Sequence, residues 1–245
     1  MNFFRLIFHA ANLSFQSCNL LLSFTEDVRH STTMMKTRDR ILLTSVELFN
    51  KNGVVAVTTN HIAKEMGISP GNLYFHFSNK EDIVRHLFKI MCDKTYQLWD
   101  QQKDDQGLAD PIDVIEKNFE LFWEYRFFHR EMYYLRRKDE ILSTMWKKHI
   151  HKIIKLMIVM YRRWVHAGWM KDINSKDELD FIGNVLLATA SNYLQIFESP
   201  DRLPVKRHVE KGKKYVVRLL VHYATGQMEE KFRQYIQAKD SPSSN

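Results

Sequence analysis

The stretch GISPGNLYFHFSNKEDI, residues 67–83, constrains the fold more than any other segment, because helix-ending residues fall there between strongly helical flanks. Gly67 can take the left-handed conformation that closes a helix. Ser69 then stands at an N-cap position and Pro70 at a first helical residue, where its missing N–H costs nothing and its fixed φ suits the helix. The break is therefore a tight turn between two short helices, and the aromatics Tyr74, Phe75 and Phe77 belong to the second. Directly after it, SNKE has the form of a capping box in which Ser78 opens another helix and Glu81 reaches back.

The flanks supply the rest of the architecture. TRDRILLTSVELFNKNG sets Ile41, Leu42, Ser45, Leu48 and Phe49 at helical spacing and stops at Gly53. VVAV then leads to TTNHIAKEMG, where Thr58 can cap and Ile62, Ala63 and Met66 form an apolar side. A fourth helix is expected from about residue 79 to 102, with Ile83, Leu87, Ile90, Met91 and Leu98 on one side. The polar KDDQGLADP interrupts the chain near residue 105. Beyond it there is no strand-like alternation, and helices are expected near 111–125, 127–137, 139–167, 176–198 and 206–237. The pattern predicts an all-α fold. Residues 35–82 form a three-helix unit, 83–104 a connecting helix, 105–240 a larger helical domain and 241–245 a disordered tail.

Two short helices joined by a Gly-containing turn and preceded by a supporting helix make a helix-turn-helix, whose second member enters the major groove of DNA. At 100° per residue Pro70, Leu73 and Phe77 share a face suited to packing, while Gly71, Asn72, Phe75 and His76 point the other way. Asn72 can pair with adenine or phosphate, His76 can donate to a base or backbone oxygen, and Phe75 can meet a thymine methyl. Gly71 permits close backbone approach, and the Tyr74 hydroxyl can reach a phosphate. Lys80 joins a cation to a helix N-terminus, and Thr59 and Asn60 repeat that placement at the preceding helix. Ser69, Lys36 and Arg38 complete the candidate DNA-contacting set. Ordinary core packing of the aromatics, with the turn residues merely joining helices, accounts for the same pattern, so spacing leaves both readings open.

Charge favours an anionic partner, since the chain carries a formal +7 and a pI near 9.3. The excess lies mostly outside the suspected reading head: residues 36–85 hold seven Lys/Arg against five Asp/Glu, and 126–163 hold eleven against three. Cys18 and Cys92 are far apart and without ligand spacing, so no disulfide framework or zinc site is expected and a reducing cytoplasm is. No apolar run of about eighteen residues predicts a membrane span. GxSxG, P-loop, GxGxxG and HExxH patterns are missing, so no catalytic residue, cofactor or metal is expected. His149 and His151 point in different directions on a helix and make a poor metal pair. Residues 1–34 lack a basic n-region and a cleavage site, and are expected to be a disordered extension upstream of a start at Met34 or Met35.

The block RILLTSVELFNKNGVVAVTTNHIAKEMGISPGNLYFHFSNKEDIVRHLF, residues 40–88, resembles the DNA-binding domain of the TetR family of bacterial transcription regulators. The likeness runs through Leu48-Phe49, Gly53, Thr58-Thr59, Ile62-Ala63, Gly67, Gly71 to Tyr74, His76-Phe77 and Asn79 to Glu81. It implies a homodimer whose N-terminal helices bind a palindromic operator and whose C-terminal domain dimerises and takes a small effector. It also implies that Thr59, Tyr74, His76 and Lys80 contact phosphate or bases. Gly71 and Asn72 fall on the recognition helix, and Asn60 stands where some members carry a base-reading Arg. The leader has no counterpart in the family's short N-terminus.

Residues 105–240 resemble the family only loosely, although FWEYRFFHREMYYLRRKDE is similar to one subgroup of its regulators. The helix with Gly183, Ala188, Ala190 and Ser191, together with 206–237, can build a four-helix dimer interface. Phe119, Phe122, Trp123, Phe127, Tyr133 and Tyr134 are candidates for an effector pocket, with core packing as the alternative. The arginines at 126, 130, 136, 137, 162 and 163 are expected to form a solvated basic face, an acidic effector being the rival. The functional expectation is a ligand-responsive repressor. The alternatives are a helical interaction module and an enzyme with a degenerate DNA-binding head.

Overall fold

The computed structural model describes residues 36–100, 107–197 and 206–238. The expected leader and tail lie outside the described residues. Within them the fold is all-α: α1 Thr37–Asn52, α2 Thr59–Met66, α3 Pro70–His76, α4 Lys80–Trp99, α5 Pro111–Glu124, α6 Arg126–Lys138, α7 Glu140–His166, α8 Lys176–Phe197, α9 Lys206–Leu220, a 3-10 turn Val221–Tyr223 and α10 Gly226–Gln237.

Local chemistry sets the boundaries of the small helices. Thr58 caps α2 by accepting from His61 N at 3.2 Å, and His61 Nδ1 takes the Thr58 N–H in return. Gly67 closes α2 at φ 66°, a left-handed conformation that a side chain would strain. Ser69 Oγ accepts from Asn72 N, and Pro70 begins α3. At α4 the cap lies one residue later than SNKE suggests: Asn79 Oδ1 accepts from Asp82 N at 2.8 Å, and Asp82 Oδ2 takes the Ser78 N–H at 3.1 Å. Asn79 and Asp82 share the spacing of Ser78 and Glu81, so sequence alone does not rank the two registers.

The expected single helix at 206–237 is broken. The α7–α8 loop runs alongside Tyr223 to Thr225, with Lys171 N donating to Tyr223 O at 2.7 Å and Thr225 N to Trp169 O at 3.0 Å. Those two bonds take backbone groups that a continuous helix would need for itself, and Thr225 Oγ1 adds a bond to Gly168 O.

Two apolar clusters organise the chain. One contains Ile41, Phe49, Ile62, Leu73, Phe77, Ile83, Leu87 and Phe88 of the first four helices, and also Phe127, Phe128, Met132 and Leu135 of α6. The other joins the end of α4 with α5, α7, α8, α9 and α10 through Trp99, Phe119, Met160, Trp164, Val217 and Phe232. α6 therefore completes the core of the N-terminal helices instead of belonging wholly to the C-terminal bundle.

α9 approaches α5 closely at Gly212, where a Cβ would stand 2.6 Å from Phe119 Cε1 and 2.8 Å from Tyr193 Cδ1. Gly212→Ala gains about 1 kcal/mol of helix propensity, but forcing two packed rings aside costs about 1–3 kcal/mol. The clash is expected to win, lowering the urea midpoint of unfolding. A variant as stable as the parent would contradict this packing.

Candidate functional site

α3 owes its orientation to two anchors. Leu73 is fully buried and Phe77, at the helix end, nearly so, and the Arg38 guanidinium lies 4.9 Å from the Phe77 ring centroid. With that face fixed against α2, Asn72 and Phe75 are exposed, Phe75 by 84%, and His76 is partly exposed with its ring edge-on to Phe75 at 5.1 Å. Pro70 is exposed, so it does not share the packed face with Leu73 and Phe77, although it opens the helix as expected. A Phe left 84% in solvent on a seven-residue helix has no folding reason to be apolar.

One neighbouring candidate is tied directly to α3. Thr59 Oγ1 and Tyr74 OH are 3.0 Å apart, which ties the N-terminus of α2 to the middle of α3. Asn60 and Ser69 are exposed, Gly71 is exposed, and Lys36 and Arg38 stand at the start of α1. Lys80, expected to meet phosphate, donates its Nζ to the carbonyls of Val54 at 2.7 Å and Val57 at 2.9 Å. Its ammonium closes the α1–α2 loop, because those carbonyls lie beyond the end of α1 with no helix partner.

The second site is an interior cavity of about 70 Å³ bounded by α4 to α9. Phe119 and Phe122 line it, together with Trp99, His129, His149 and Trp164. Phe127 does not. It is fully buried against Phe49, at 5.4 Å between centroids, because its side of α6 faces the N-terminal helices. Tyr133 and Tyr134 are also displaced from the cavity, 69% and 45% exposed on the outer side of α6, with Arg137 and Lys138 near their rings. Trp123 packs at the bundle's margin under Arg126, 4.6 Å away.

Burial pulls the side chains of His129 and His149 down to about 4, so both imidazoles are neutral near pH 7. For His129 a hydrogen bond to the Ser191 backbone works the other way. His149 Nδ1 pairs with Tyr96 OH at 3.1 Å. Spacing does not mark either histidine as a cavity residue. The signal available was a titratable ring on an otherwise apolar helix face.

α6 connects the two sites. Arg130 Nη2 donates to Asn50 O at 2.8 Å and Phe49 O at 3.3 Å, and the Glu131 carboxylate accepts from Val54 N at 3.0 Å. Asn50 completes the joint, giving a bond to Glu124 O and taking one from Phe127 N. His129, the residue before this pair, reaches the cavity. Adjacent residues of one helix thus touch the cavity and the reading head. Among the described residues no group of acidic, histidine and cysteine side chains suits a metal ion, and no helix is long and apolar enough to cross a membrane.

Comparison with known proteins agrees with this geometry. The family described as "Bacterial regulatory proteins, tetR family" matches residues 41–87, and that described as "Bacterial transcriptional repressor" (TetR) matches residues 88–232. The regulator QacR of Staphylococcus aureus is 39% identical over 69 residues, covering 28% of this chain and 37% of QacR. YerO of Bacillus subtilis is 27% identical over 131 residues, covering 53% of this chain and 45% of YerO. The chain thus aligns with less than half the length of either curated relative. A TetR-family regulator structure from Marinobacter aquaeolei VT8 superposes with a TM-score of 0.72 at 29% identity, covering 82% of this chain and 99% of that one. With family matches running almost without a gap through the reading head and the helical bundle, the chain belongs to the TetR family of DNA-binding transcriptional regulators.

Proposed function

We propose that the protein is a dimeric, cytoplasmic, effector-responsive repressor that binds a palindromic operator through α3 of each subunit and releases it when the α4–α9 cavity is filled. The observation that carries the DNA reading is the outward set Asn72, Phe75 and His76 on a helix held from behind by Leu73 and Phe77. Thr59, Asn60, Ser69, Gly71, Tyr74, Lys36 and Arg38 surround it and serve as positioning contacts to the backbone. Lys80 acts indirectly, by holding the loop that sets the angle between α1 and α2.

The dimer reading draws on α8 and α9. Phe181, Asn184, Ala188 and Asn192 are exposed at helical spacing along α8, and Leu219 is exposed on α9. Pairing these stripes across a two-fold axis buries Phe181, which is 59% exposed in the single chain. A palindrome follows from that symmetry.

The cavity of about 70 Å³ is smaller than the roughly 300–1,000 Å³ of ordinary ligand sites. A ligand must therefore push the walls apart, and α6 is a wall whose next residues grip α1. A ligand that binds better to the expanded arrangement weakens DNA binding by the same factor that DNA weakens its own.

Selection from a random duplex pool is expected to recover an inverted repeat bound with a steep loss of affinity as salt rises. His76→Ala and Asn72→Ala are each expected to cost about tenfold or more in anisotropy titrations with unchanged circular dichroism, in line with about 1–3 kcal/mol for a base contact. Recovery of no enriched sequence would sink the reading. Phe181→Arg and Leu219→Arg are expected to shift the sedimenting species from dimer to monomer, and dimers persisting in both would place the interface elsewhere.

A further inference from the structure

We propose that the effector is an uncharged, largely apolar molecule bearing a hydroxyl-type group, held in the α4–α9 cavity with that group on Nε2 of His129. This rests on the reading of the protein as an effector-responsive regulator and narrows the chemistry of the same cavity.

Among the described residues, no side chain lining the cavity is an aspartate, glutamate, lysine or arginine. An ion drawn into an apolar enclosure without a counter-charge loses its hydration and gains nothing comparable. The two imidazoles do not supply that charge, because burial keeps both neutral at physiological pH. The arginines nearby are directed elsewhere: Arg126 lies over the Trp123 ring at 4.6 Å and Arg136 over Trp146 at 5.1 Å, and neither lines the cavity. An acidic effector therefore finds no partner here, which removes the rival suggested by the basic composition of α6.

Four polar atoms of the wall are committed to protein partners. Asn118 Oδ1 accepts from Trp99 Nε1 at 3.0 Å, Thr95 Oγ1 donates to Met91 O at 2.8 Å, and Tyr161 OH donates to Lys171 O at 2.9 Å. His149 Nδ1 is paired with Tyr96 OH. Nε2 of His129, in contrast, is shielded and has no hydrogen-bond partner. A buried polar atom left in that state is costly, so a ligand group that satisfies it gains selectivity over an analogue that lacks the group. The Phe122 ring, 4.4 Å from the imidazole centroid, holds the ring in place. A neutral imidazole nitrogen donates in one tautomer and accepts in the other, and a hydroxyl can answer either.

The test uses four probes on one frame, titrated calorimetrically into the full chain at pH 7.5: 4-butylphenol, butylbenzene, 4-butylbenzoate and 4-butylbenzylammonium. Expected is saturable binding of 4-butylphenol, at least tenfold weaker binding of butylbenzene, and weaker binding still of both ions. His129→Leu is expected to equalise the phenol and the hydrocarbon, while His129→Gln, which keeps a neutral hydrogen-bonding group, retains a preference for the phenol. If His129→Leu does not fold, His129→Phe carries the same comparison. The proposal is overturned if either ion binds as tightly as the phenol, if a folded His129→Leu or His129→Phe keeps the full phenol preference, or if none of the four probes saturates. Anisotropy of an operator fragment is read in parallel. A phenol that binds through His129 without changing DNA affinity upholds the ligand class and removes the regulatory reading, so the two failures are distinguishable.

Discussion

The last turn of α1 ends with carbonyl groups that the helix itself cannot all satisfy; the Gly53 N–H reaches Phe49 O at 2.9 Å, and α6 supplies further donors. Arg130 takes the carbonyls of Phe49 and Asn50, Asn50 exchanges bonds with the α5–α6 junction, and Glu131 collects the N–H groups just beyond Gly53. Gly53 belongs to the same joint: at φ 80° its missing Cβ would stand 3.0 Å from Glu131 Oε1. Arg85 and Asp139 add an ion pair between α4 and the start of α7 at 2.8 Å. Those made by Arg130, Glu131 and Arg85 are hydrogen bonds to charged groups, stronger individually than the neutral ones of Asn50. The angle at which α3 is presented follows from them, because α1 and α4 frame the core on which Leu73 and Phe77 sit.

In the proposed effector response, that joint is the link between the cavity and the reading head. The basic residues of α6 do not form one solvated face. Arg130 is fastened to α1, Arg126 and Arg136 lie over tryptophans, and Lys138 lies near Tyr134. Their stems and heads hold α6 between two apolar clusters, where it packs on α1 at one side and on α7 and α8 at the other. A helix placed so has few independent ways to move, and a shift at His129 is carried to Glu131 within one turn.

The helices with caps were legible in the sequence because the cap residues act locally. Thr58, Ser69, Pro70 and Gly67 each specify backbone geometry at their own position, and α2 and α3 follow. The all-α fold followed from periodicity for the same reason. The α4 register was ambiguous by one residue because two capping pairs overlap. The interruption after Leu220 depends on a distant loop, through Lys171 and Trp169, and nothing local in VHYAT announces it. The cavity shows the same limit more sharply. Phe119, Phe122 and Phe127 look alike in the sequence, yet the first two line the cavity and the third packs on Phe49. Which aromatic meets the cavity depends on the rotation of α5, which carries Phe119 and Phe122, and of α6, which carries Phe127 and is held by its bonds to α1. The role of Lys80 was hidden similarly, since a lysine at a helix start reads as a phosphate ligand until its nearest carbonyls are known.

In the proposed effector response the small cavity and the α6 joint pull in opposite directions, and the balance between them sets what a ligand must supply. A cavity of about 70 Å³ admits a ring-sized ligand only by expansion, and a close-packed interior resists expansion everywhere except along elements that can move as units. α6 is such a unit, but its displacement strains the bonds made by Arg130 and Glu131. The ligand's differential affinity must therefore exceed the strain it creates, and a shift of a few kcal/mol is what converts a mostly bound population into a mostly released one. A charged ligand would have to meet its own desolvation as well. A neutral one, whose single polar group answers an atom already short of a partner, leaves more of its binding free energy for moving the helix.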